Sequence, residues 1–414
     1  MSTSRLLLIF LAFLTVSCGK GYEAPPTIST NGYDGAGTRN IPKVGSPGTI
    51  TKILNEKLTF ERAELTSSPI AFPDASGYVV GTRGGTVAIF SSADSLKTLV
   101  SLQSKSPVLE ILIDSISITV LQTDGSATLL TKDGKERWTT PLTTVARCNS
   151  LLTNSSIFIA TDSSIVRIST TDGKASTILS YTIYPRSLAY DKDAKRIYLA
   201  LTTNSSNGAD SILCISEEGK VLSRTGFPNM RISSNLTLIG NENKRVAFGY
   251  FGDLNPQSSV RRTYVALYEG IAEGKPKQIA KQEVPYIPMN IASNGELIIS
   301  SGFRERSEEL ASGVDAFDIS SLEKRWQRRF SEPLVAPVSV SAENIYFTLS
   351  FPTTAETPSN GLFYVLTAST GKTDREVAVE GVLNGFASGM PMPFGEDALM
   401  LSDNQKPIIY KIRD

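Results

Sequence analysis

The stretch QTDGSATLLTKDGKERWTTPL, residues 122–142, decides the fold because it contains two hairpin signals in tandem. Asp124-Gly125 separates two apolar runs, and Asp133-Gly134 then leads to a short segment that carries Trp138. Asp-Gly between two strand-like runs is a strong hairpin signal, because a tight turn needs positive φ angles that Gly adopts without strain. The stretch therefore predicts a four-stranded antiparallel meander.

The same alternation of strands and Gly-containing turns recurs along the chain at a spacing of roughly 40 to 50 residues, which is typical of propeller blades. The repeats open near residues 68, 104, 145, 183, 229, 288, 335 and 384. One unit cannot bury both faces of its sheet, so the units must stack around an axis. We predict an all-β fold, an eight-bladed β-propeller of four-stranded antiparallel blades. Seven blades would follow if one of the less regular middle units has been divided wrongly.

Both ends of the repeat region are incomplete. Apolar residues between Ile53 and Phe60 predict one or two strands before the first repeat, and the last repeat, from about Asn384 to Asp414, is short by one strand. A strand without a blade and a blade without a strand complement each other, and joining them removes exposed sheet edges. We therefore predict that the N-terminal strand closes the ring.

The composition narrows the range of functions. Among 414 residues, 41 are basic and 41 acidic, so the basic surface of a general nucleic-acid binder is missing. The chain has no histidine, which excludes Ser-His and Cys-His nucleophile systems and removes the commonest metal ligand. Cys18, Cys148 and Cys214 have no C-x-x-C spacing, which argues against a zinc or iron-sulfur site. We expect Cys148 and Cys214 to be buried free thiols, with a disulfide as the alternative.

The N-terminal segment has the layout of a secretory signal, with Arg5 followed by an apolar run from Leu6 to Leu14. Thr15-Val16-Ser17-Cys18 resembles a bacterial lipobox, in which the cysteine becomes the lipid-bearing first residue. We divide the chain into a lipoprotein signal peptide (1–17), a disordered tether rich in Gly, Pro, Ser and Thr (18–48), and a propeller domain (49–414). Lipid attachment at Cys18 predicts a membrane anchor. By the same resemblance Gly19, which is not Asp, indicates the outer membrane; a plain signal peptide cleaved nearby is the alternative.

The repeat itself resembles that of the PQQ-like, quinoprotein-type β-propellers. Degenerate copies of the motif Gly-x-[Leu/Val]-x-Ala followed by Asp, Gly-Lys and Trp lie at residues 85–90, 125–138, 313–326 and 364–372, and two of them keep the Trp. Together with the lipobox, it is similar to the lipid-anchored propellers that serve as scaffolds in outer-membrane protein assembly. Trp138 and Trp326 occupy equivalent repeat positions, which predicts packing between adjacent blades and argues against cofactor stacking. Quinone-dependent members hold their cofactor with adjacent cysteines, calcium and a carboxylate set; this sequence has no adjacent cysteines, so we predict no cofactor and no metal.

Four consecutive repeats carry long insertions between their second and third strands. These insertions are residues 203–210, 252–262, 303–312 and 351–361, whereas the earlier repeats need only a few residues there. Loops at one strand junction emerge on one face of a propeller, and repeat proteins commonly place insertions on a binding face. The candidate partner contacts on this rim are Arg261, Arg262, Arg304 and Arg306. Loop expansions without a function are the alternative, because lengthening a surface loop costs little free energy.

These features predict a noncatalytic, lipid-anchored scaffold of the bacterial envelope that faces the periplasm, with envelope proteins as partners and no nucleic acid. A role in outer-membrane protein assembly follows from the resemblance. The alternatives are a PQQ-dependent dehydrogenase-like enzyme and a lipoprotein that binds a peptide or glycan at the propeller mouth.

Overall fold

The computed structural model describes residues 49–54, 65–203, 209–240, 244–252, 262–306, 309–334, 336–350, 360–380, 391–393, 398–402 and 408–413. Every regular element in this part of the chain is a β-strand. The described residues contain no helix that is long and apolar enough to cross a membrane. The predicted signal peptide, Cys18 and the tether lie outside the described residues.

The strands form eight antiparallel sheets, and each of the first seven consists of consecutive strands. Strand β1 (Thr49–Leu54) comes before them. Sheet 1 contains β2 (Ile70–Ala71), β3 (Gly77–Gly81), β4 (Thr86–Ser91) and β5 (Leu96–Ser101); sheet 2 contains β6 (Val108–Ile113), β7 (Ser117–Gln122), β8 (Ser126–Thr131) and β9 (Glu136–Pro141). Sheet 3 contains β10 (Leu151–Leu152), β11 (Ser156–Ala160), β12 (Ser164–Ser169) and β13 (Ala175–Ser180); sheet 4 contains β14 (Tyr184–Asp191), β15 (Arg196–Thr202), β16 (Asp210–Ser216) and β17 (Val221–Phe227).

Sheet 5 is the one described sheet with five strands, because two short pieces, β18 and β19, both pair with β20. It contains β18 (Arg231–Ile232), β19 (Thr237–Ile239), β20 (Arg245–Gly252), β21 (Arg262–Glu269) and β22 (Lys277–Val284). Sheet 6 contains β23 (Ile287–Ser293), β24 (Leu297–Arg306), β25 (Glu309–Asp318) and β26 (Lys324–Phe330); sheet 7 contains β27 (Ser339–Val340), β28 (Asn344–Ser350), β29 (Asn360–Thr367) and β30 (Thr373–Glu380). Sheet 8 contains β31 (Met392–Pro393), β32 (Ala398–Ser402), β33 (Ile408–Arg413) and, as its outermost strand, β1.

The stretch at residues 122–142 folds as the sequence predicts. The strands β7, β8 and β9 follow one another in sheet 2, and β6 supplies its fourth strand. Gly125 and Gly134 both have positive φ angles, +88° and +87°. The first turn has three residues, 123–125, where the Asp-Gly signal suggested two.

The predicted completion of the last repeat by the N-terminal strand is present. All six residues of β1 pair with β33, from Thr49 opposite Arg413 to Leu54 opposite Ile408. The sheet count agrees with eight repeats and not with seven. Residues 55–60, which the sequence also assigned to this region, lie outside the described part.

The first strands of the sheets surround a common axis. Contacts lead from β2 to β6, β10, β14, β19, β23 and β27 in turn, and β31 contacts β2. Sheets 7 and 8 are joined by Ser339, whose Oγ donates a hydrogen bond to the Pro391 carbonyl oxygen at 2.5 Å. Each sheet therefore touches the next, and the eighth touches the first.

The hydrophobic core lies between neighbouring sheets. Phe248 of sheet 5 belongs to one cluster of buried side chains with Ala200 and Cys214 of sheet 4. Likewise Phe347 of sheet 7 packs with Ile299 of sheet 6. Full burial of an aromatic side chain of this size contributes about 1.5–3 kcal/mol. Burial of apolar side chains between neighbouring sheets therefore stabilises the stack of units.

Trp138 and Trp326 pack between sheets, as the sequence predicts. Trp138 Nε1 donates to the Thr170 carbonyl oxygen of sheet 3 at 3.2 Å, and Trp326 Nε1 donates to the Ala368 carbonyl oxygen of sheet 7 at 2.7 Å. The next sheet's Gly lies directly on each indole, and a Cβ at Gly371 would come within 2.5 Å of Trp326. The Gly of the Gly-Lys turn therefore leaves the space into which the Trp of the preceding sheet packs.

A belt of polar side chains joins the first strands across sheet boundaries. The Asn149 amide donates to the carbonyl oxygen of Leu188 at 2.9 Å and accepts from its N–H at 3.1 Å. Asn235 makes the same two bonds with Ile291, both at 2.9 Å. First strands around an axis cannot pair with each other, so their buried N–H and C=O groups need such partners. The sequence analysis did not find this belt.

We expect Asn235→Ala to destabilise the domain by about 2 kcal/mol, because it leaves the Ile291 N–H buried without its acceptor. Equilibrium urea unfolding of the mature chain measures this loss. Asn154→Ala, at an exposed turn position, is the matched control and should leave the midpoint unchanged. Equal midpoints for both variants would contradict the proposed role of the belt.

Candidate functional site

The second and third strands of each sheet are joined at the same end of the propeller, because the strands alternate in direction. In sheet 5 these strands are β20 and β21, because β18 and β19 together take the place of the first strand. We call this end the insertion face. In sheets 1 to 3 the connections take three or four residues, as at 123–125. In sheets 4, 5 and 7 they take seven to nine: residues 203–209, 253–261 and 351–359. The predicted junction is correct, and most of these three connections lie outside the described residues.

The insertion in sheet 6 differs from the predicted loop. Strands β24 and β25 each run for ten residues, and their pairing continues from Phe303 opposite Ser312 to Arg306 opposite Glu309. The neighbouring strand β23 reaches only Phe303, and β26 reaches only Ser312. Residues 304–306 and 309–311 therefore form a two-stranded extension, called here the hairpin, that reaches beyond the sheet. Continued pairing satisfies the backbone groups of the inserted residues, which an irregular loop would leave to water.

The structure brings two of the four candidate arginines to one boundary between sheets. Arg304 Nη2 donates to Thr263 Oγ1 of sheet 5 at 2.9 Å, and Thr263 Oγ1 in turn donates to the Val284 carbonyl oxygen at 2.7 Å. Arg262, next to Thr263, is exposed and lies 3.8 Å from a Glu283 carboxylate oxygen. Charge pairs of this exposure contribute little to stability, so the Arg262–Glu283 pair does not by itself explain the position of this arginine.

The other two candidates, Arg306 and Arg261, lie at the end of a described strand and outside the described residues, respectively. Arg306 is the last residue of β24, opposite Glu309. The four candidates therefore remain a prediction, and only Arg262 and Arg304 have described contacts.

A buried ion-pair cluster fixes the base of the hairpin, and the sequence analysis missed it. Asp315 is fully buried, and its carboxylate accepts from Arg329 Nη1 at 2.5 Å and from Nη2 at 3.2 Å. The Arg329 guanidinium also lies 5.5 Å from the ring centre of Tyr286. Burial raises the pKa of the Tyr286 phenol well above its ordinary value, so it remains a neutral donor, and it bonds the Ser300 carbonyl oxygen at 2.9 Å. These contacts connect β25 and β26 with Tyr286 and β24 directly below the hairpin.

The thiols of Cys148 and Cys214 and the carboxylate of Glu110 are other potentially reactive groups. Cys148, before β10, is half-buried, and Cys214 in β16 is fully buried; both are free thiols, as expected. Burial raises the pKa of both, that of Cys214 to about 11, so neither is a thiolate at neutral pH. The Glu110 carboxylate on β6 accepts the Ser150 N–H at 3.0 Å.

These residues do not fit the quinone site that the family resemblance implies. The two thiols lie on different sheets, and the axial carboxylate Glu110 is engaged by backbone. In the described ranges no group of three or more His, Cys, Asp or Glu side chains could hold a metal ion. The described residues instead form contacts between sheets and an insertion face with long connections on one side and short turns on the other.

Eight antiparallel sheets around an axis, seven with four strands and one with five, give the chain a β-propeller fold of the PQQ-like kind. No protein-family model and no curated protein matches it. Among solved structures it is similar to BamB from Moraxella catarrhalis, with 12% identity, a TM-score of 0.56 and coverage of 89% of this chain and 100% of that one. It is also similar to quinohemoprotein alcohol dehydrogenase from Comamonas testosteroni (11% identity, TM-score 0.66, 94% and 80% covered) and to a europium-containing methanol dehydrogenase (10%, 0.61, 90% and 88%). At these identities the likeness shows the fold alone.

Proposed function

We propose that the protein is a noncatalytic scaffold of the bacterial envelope that binds protein partners through its insertion face. The observation that supports this proposal is that sheets 4 to 7 insert residues at the same strand junction, while sheets 1 to 3 keep short turns there. A one-sided rim of this kind offers a surface with a defined orientation around the axis. The Arg304 contact with Thr263 connects the base of the sheet 6 hairpin to the start of β21, which follows the insertion of sheet 5.

The anchor and the location belong to the same proposal. Lipid attachment at Cys18 and a tether at residues 18–48 would hold the propeller near a membrane and facing the periplasm. The likeness in fold to BamB supports an envelope role in outer-membrane protein assembly, and the lipobox-like segment supports the outer membrane. The hairpin of sheet 6 suits protein binding, because both of its edges carry backbone groups that a partner strand can pair with.

Removal of the hairpin tests the proposal. Phe303 and Ser312 are opposite each other in the register, so residues 304–311 can be replaced by Asn-Gly, which closes a tight turn between paired strands. We expect recovery of crosslinked envelope proteins to fall to less than about a tenth, because loss of a central contact residue typically removes most binding energy. The measurement is crosslinking of the intact lipidated protein in envelopes, followed by quantification of the captured proteins.

Charge reversal gives a second variant with a matched control. Arg262→Glu with Arg304→Glu should reproduce the loss, while Arg83→Glu should not, because Arg83 is exposed in the short turn of sheet 1 on the same face. Unfolding curves establish that each variant is folded. Unchanged capture by folded hairpin and charge variants would remove the insertion face from the proposed function.

A further inference from the structure

A cavity of about 650 Å³ opens between sheets 4 and 5, on the face opposite the insertions. We propose that this cavity binds a short peptide by its free C-terminal carboxylate. The inference is independent of the scaffold role, because it uses other residues on the other face.

The walls of the cavity come from three turns. The turn of sheet 4 after Asp191 forms one side, and Lys244, just before β20, forms another. The third is the turn between β21 and β22, which takes seven residues, 270–276, whereas the equivalent turns of sheets 1 to 4, 6 and 7 take four or five. The extra length adds Glu273 to the wall.

Two cations in the cavity have no hydrogen-bond partner among the described residues. Lys244 Nζ lies 3.6 Å from Asp191 Oδ1 and 3.7 Å from Asp193 Oδ2, and Arg196 Nη1 lies 3.6 Å from Glu273 Oε1. Charge-assisted hydrogen bonds are about 2.7–2.9 Å long, so these pairs attract without bonding. The Lys244 side chain is also only 18% exposed, which limits what water can supply. An anionic oxygen group placed between Lys244 and Arg196 would satisfy both donors.

Tyr198 provides an independent indication of a missing partner. Its side chain is 1% exposed and lines the cavity, yet its hydroxyl has no oxygen or nitrogen partner within the described chain. The residue opposite it, Cys214, carries a thiol, which is a weak acceptor. Burial raises the pKa of the Tyr198 phenol, so the group is a neutral donor. A buried donor without an acceptor is costly, and a ligand oxygen would relieve that cost.

The remaining charges identify the ligand as a peptide. The cavity lining carries four carboxylates and four cations, so the site is balanced in charge rather than cationic: Asp191, Asp193, Glu269 and Glu273 against Arg196, Lys244, Lys275 and Lys277. Glu269 already accepts a hydrogen bond from Lys277 at 3.0 Å, which leaves the other three carboxylates to face a ligand. A ligand that is only an anion would meet these carboxylates, whereas a peptide presents an ammonium group to them and its carboxylate to Lys244, Arg196 and Tyr198. Pockets of roughly 300–1,000 Å³ hold molecules of the size of a few amino acids.

Titration with trialanine, its C-terminal amide, its N-acetyl form and inorganic phosphate tests the inference. We expect the amide to bind at least about tenfold more weakly than the free peptide, because it loses charge-assisted bonds to two cations. The acetylated form should lose only about two- to fivefold, because acetylation removes an ammonium group whose carboxylate partners are more exposed to solvent. Equal binding of peptide and amide, binding of phosphate as tight as that of the peptide, or no binding of trialanine would overturn the assignment.

Tyr198→Phe separates binding from folding. The variant keeps the ring and removes a hydroxyl without a described bond, so we expect an unchanged or higher unfolding midpoint together with about tenfold weaker trialanine binding. Lys244→Met should weaken binding similarly, and Lys135→Met, at an exposed position in the turn between β8 and β9 of sheet 2, should not. Wild-type affinity in Tyr198→Phe and Lys244→Met would also overturn the inference.

Discussion

Replacing Thr51 and Lys52 with proline is expected to lower the stability of the mature chain by about 3 kcal/mol or more, because proline removes ladder hydrogen bonds and disrupts the strand. Both positions lie in the middle of β1, opposite Lys411 and Tyr410 of β33. In an antiparallel pair, successive residues alternate between donating to the partner strand and pointing away from it. Two consecutive prolines therefore remove at least one N–H donor whichever position bonds β33.

The consequence extends beyond one strand. Without β1, the edge of β33 would be open, and open edges promote association with other chains. We expect a lower urea midpoint and, at high protein concentration, dimers or aggregates on size-exclusion chromatography. Thr51→Val with Lys52→Val is the matched control, since valine favours strands and keeps its N–H. A double-proline variant that unfolds at the wild-type midpoint as a monomer would show that β1 does not secure the ring.

Local turn chemistry explains why so much of the fold could be predicted from the sequence. Gly in the turns at 123–125 and 132–135 requires no knowledge of distant residues, and each repeat of that signal marks one sheet. The missing strand of the last repeat could be predicted as well, because the number of strands in each repeat can be counted along the sequence. Trp138 and Trp326 could be assigned to sheet contacts from their equivalent positions alone.

Contacts between sheets were harder to predict because they join residues far apart in sequence. Asn149 and Leu188 are 39 residues apart, and Asn235 and Ile291 are 56 apart. Neither asparagine belongs to a recognisable motif. The cavity beside Tyr198 was missed for the same reason, since its walls come from sheets 4 and 5.

The candidate site could be predicted only in part. The sequence located the insertions at the correct junction, since their lengths are read along the chain. It did not predict that residues 304–306 and 309–311 continue the strands of sheet 6, because their charged residues do not show the apolar alternation of a strand. Nor could it predict the contact of Arg304 with Thr263, which depends on how sheets 5 and 6 are placed.

The junction of the last and first sheets contains a buried charge whose counter-ion can be removed. Lys411 of β33 is 2% exposed, and its ammonium donates to Asp94 Oδ1 at 3.0 Å and to the Ser92 carbonyl oxygen at 3.0 Å. Asp94→Asn keeps the shape and tolerates the positive φ of 61° at this position, so it removes the charge alone. We expect a loss of about 3 kcal/mol, because an ammonium would remain buried without its counter-charge.

A double-mutant cycle in urea distinguishes this charge effect from a general disturbance of the turn. Adding Lys411→Met to Asp94→Asn should recover most of the loss, because an apolar side chain can replace a buried ion pair at little cost. The matched control is Asp74→Asn, which breaks the pair of Asp74 with Lys132 between sheets 1 and 2, where the side chains are 58% and 32% exposed. That change should cost less than about 1 kcal/mol, since water screens the pair. If Asp94→Asn and Asp74→Asn lowered the midpoint equally, the buried position of Lys411 would not account for the stability of the closure. A larger loss at Asp94 that Lys411→Met restores would identify a charge-specific contact securing the eighth sheet to the first.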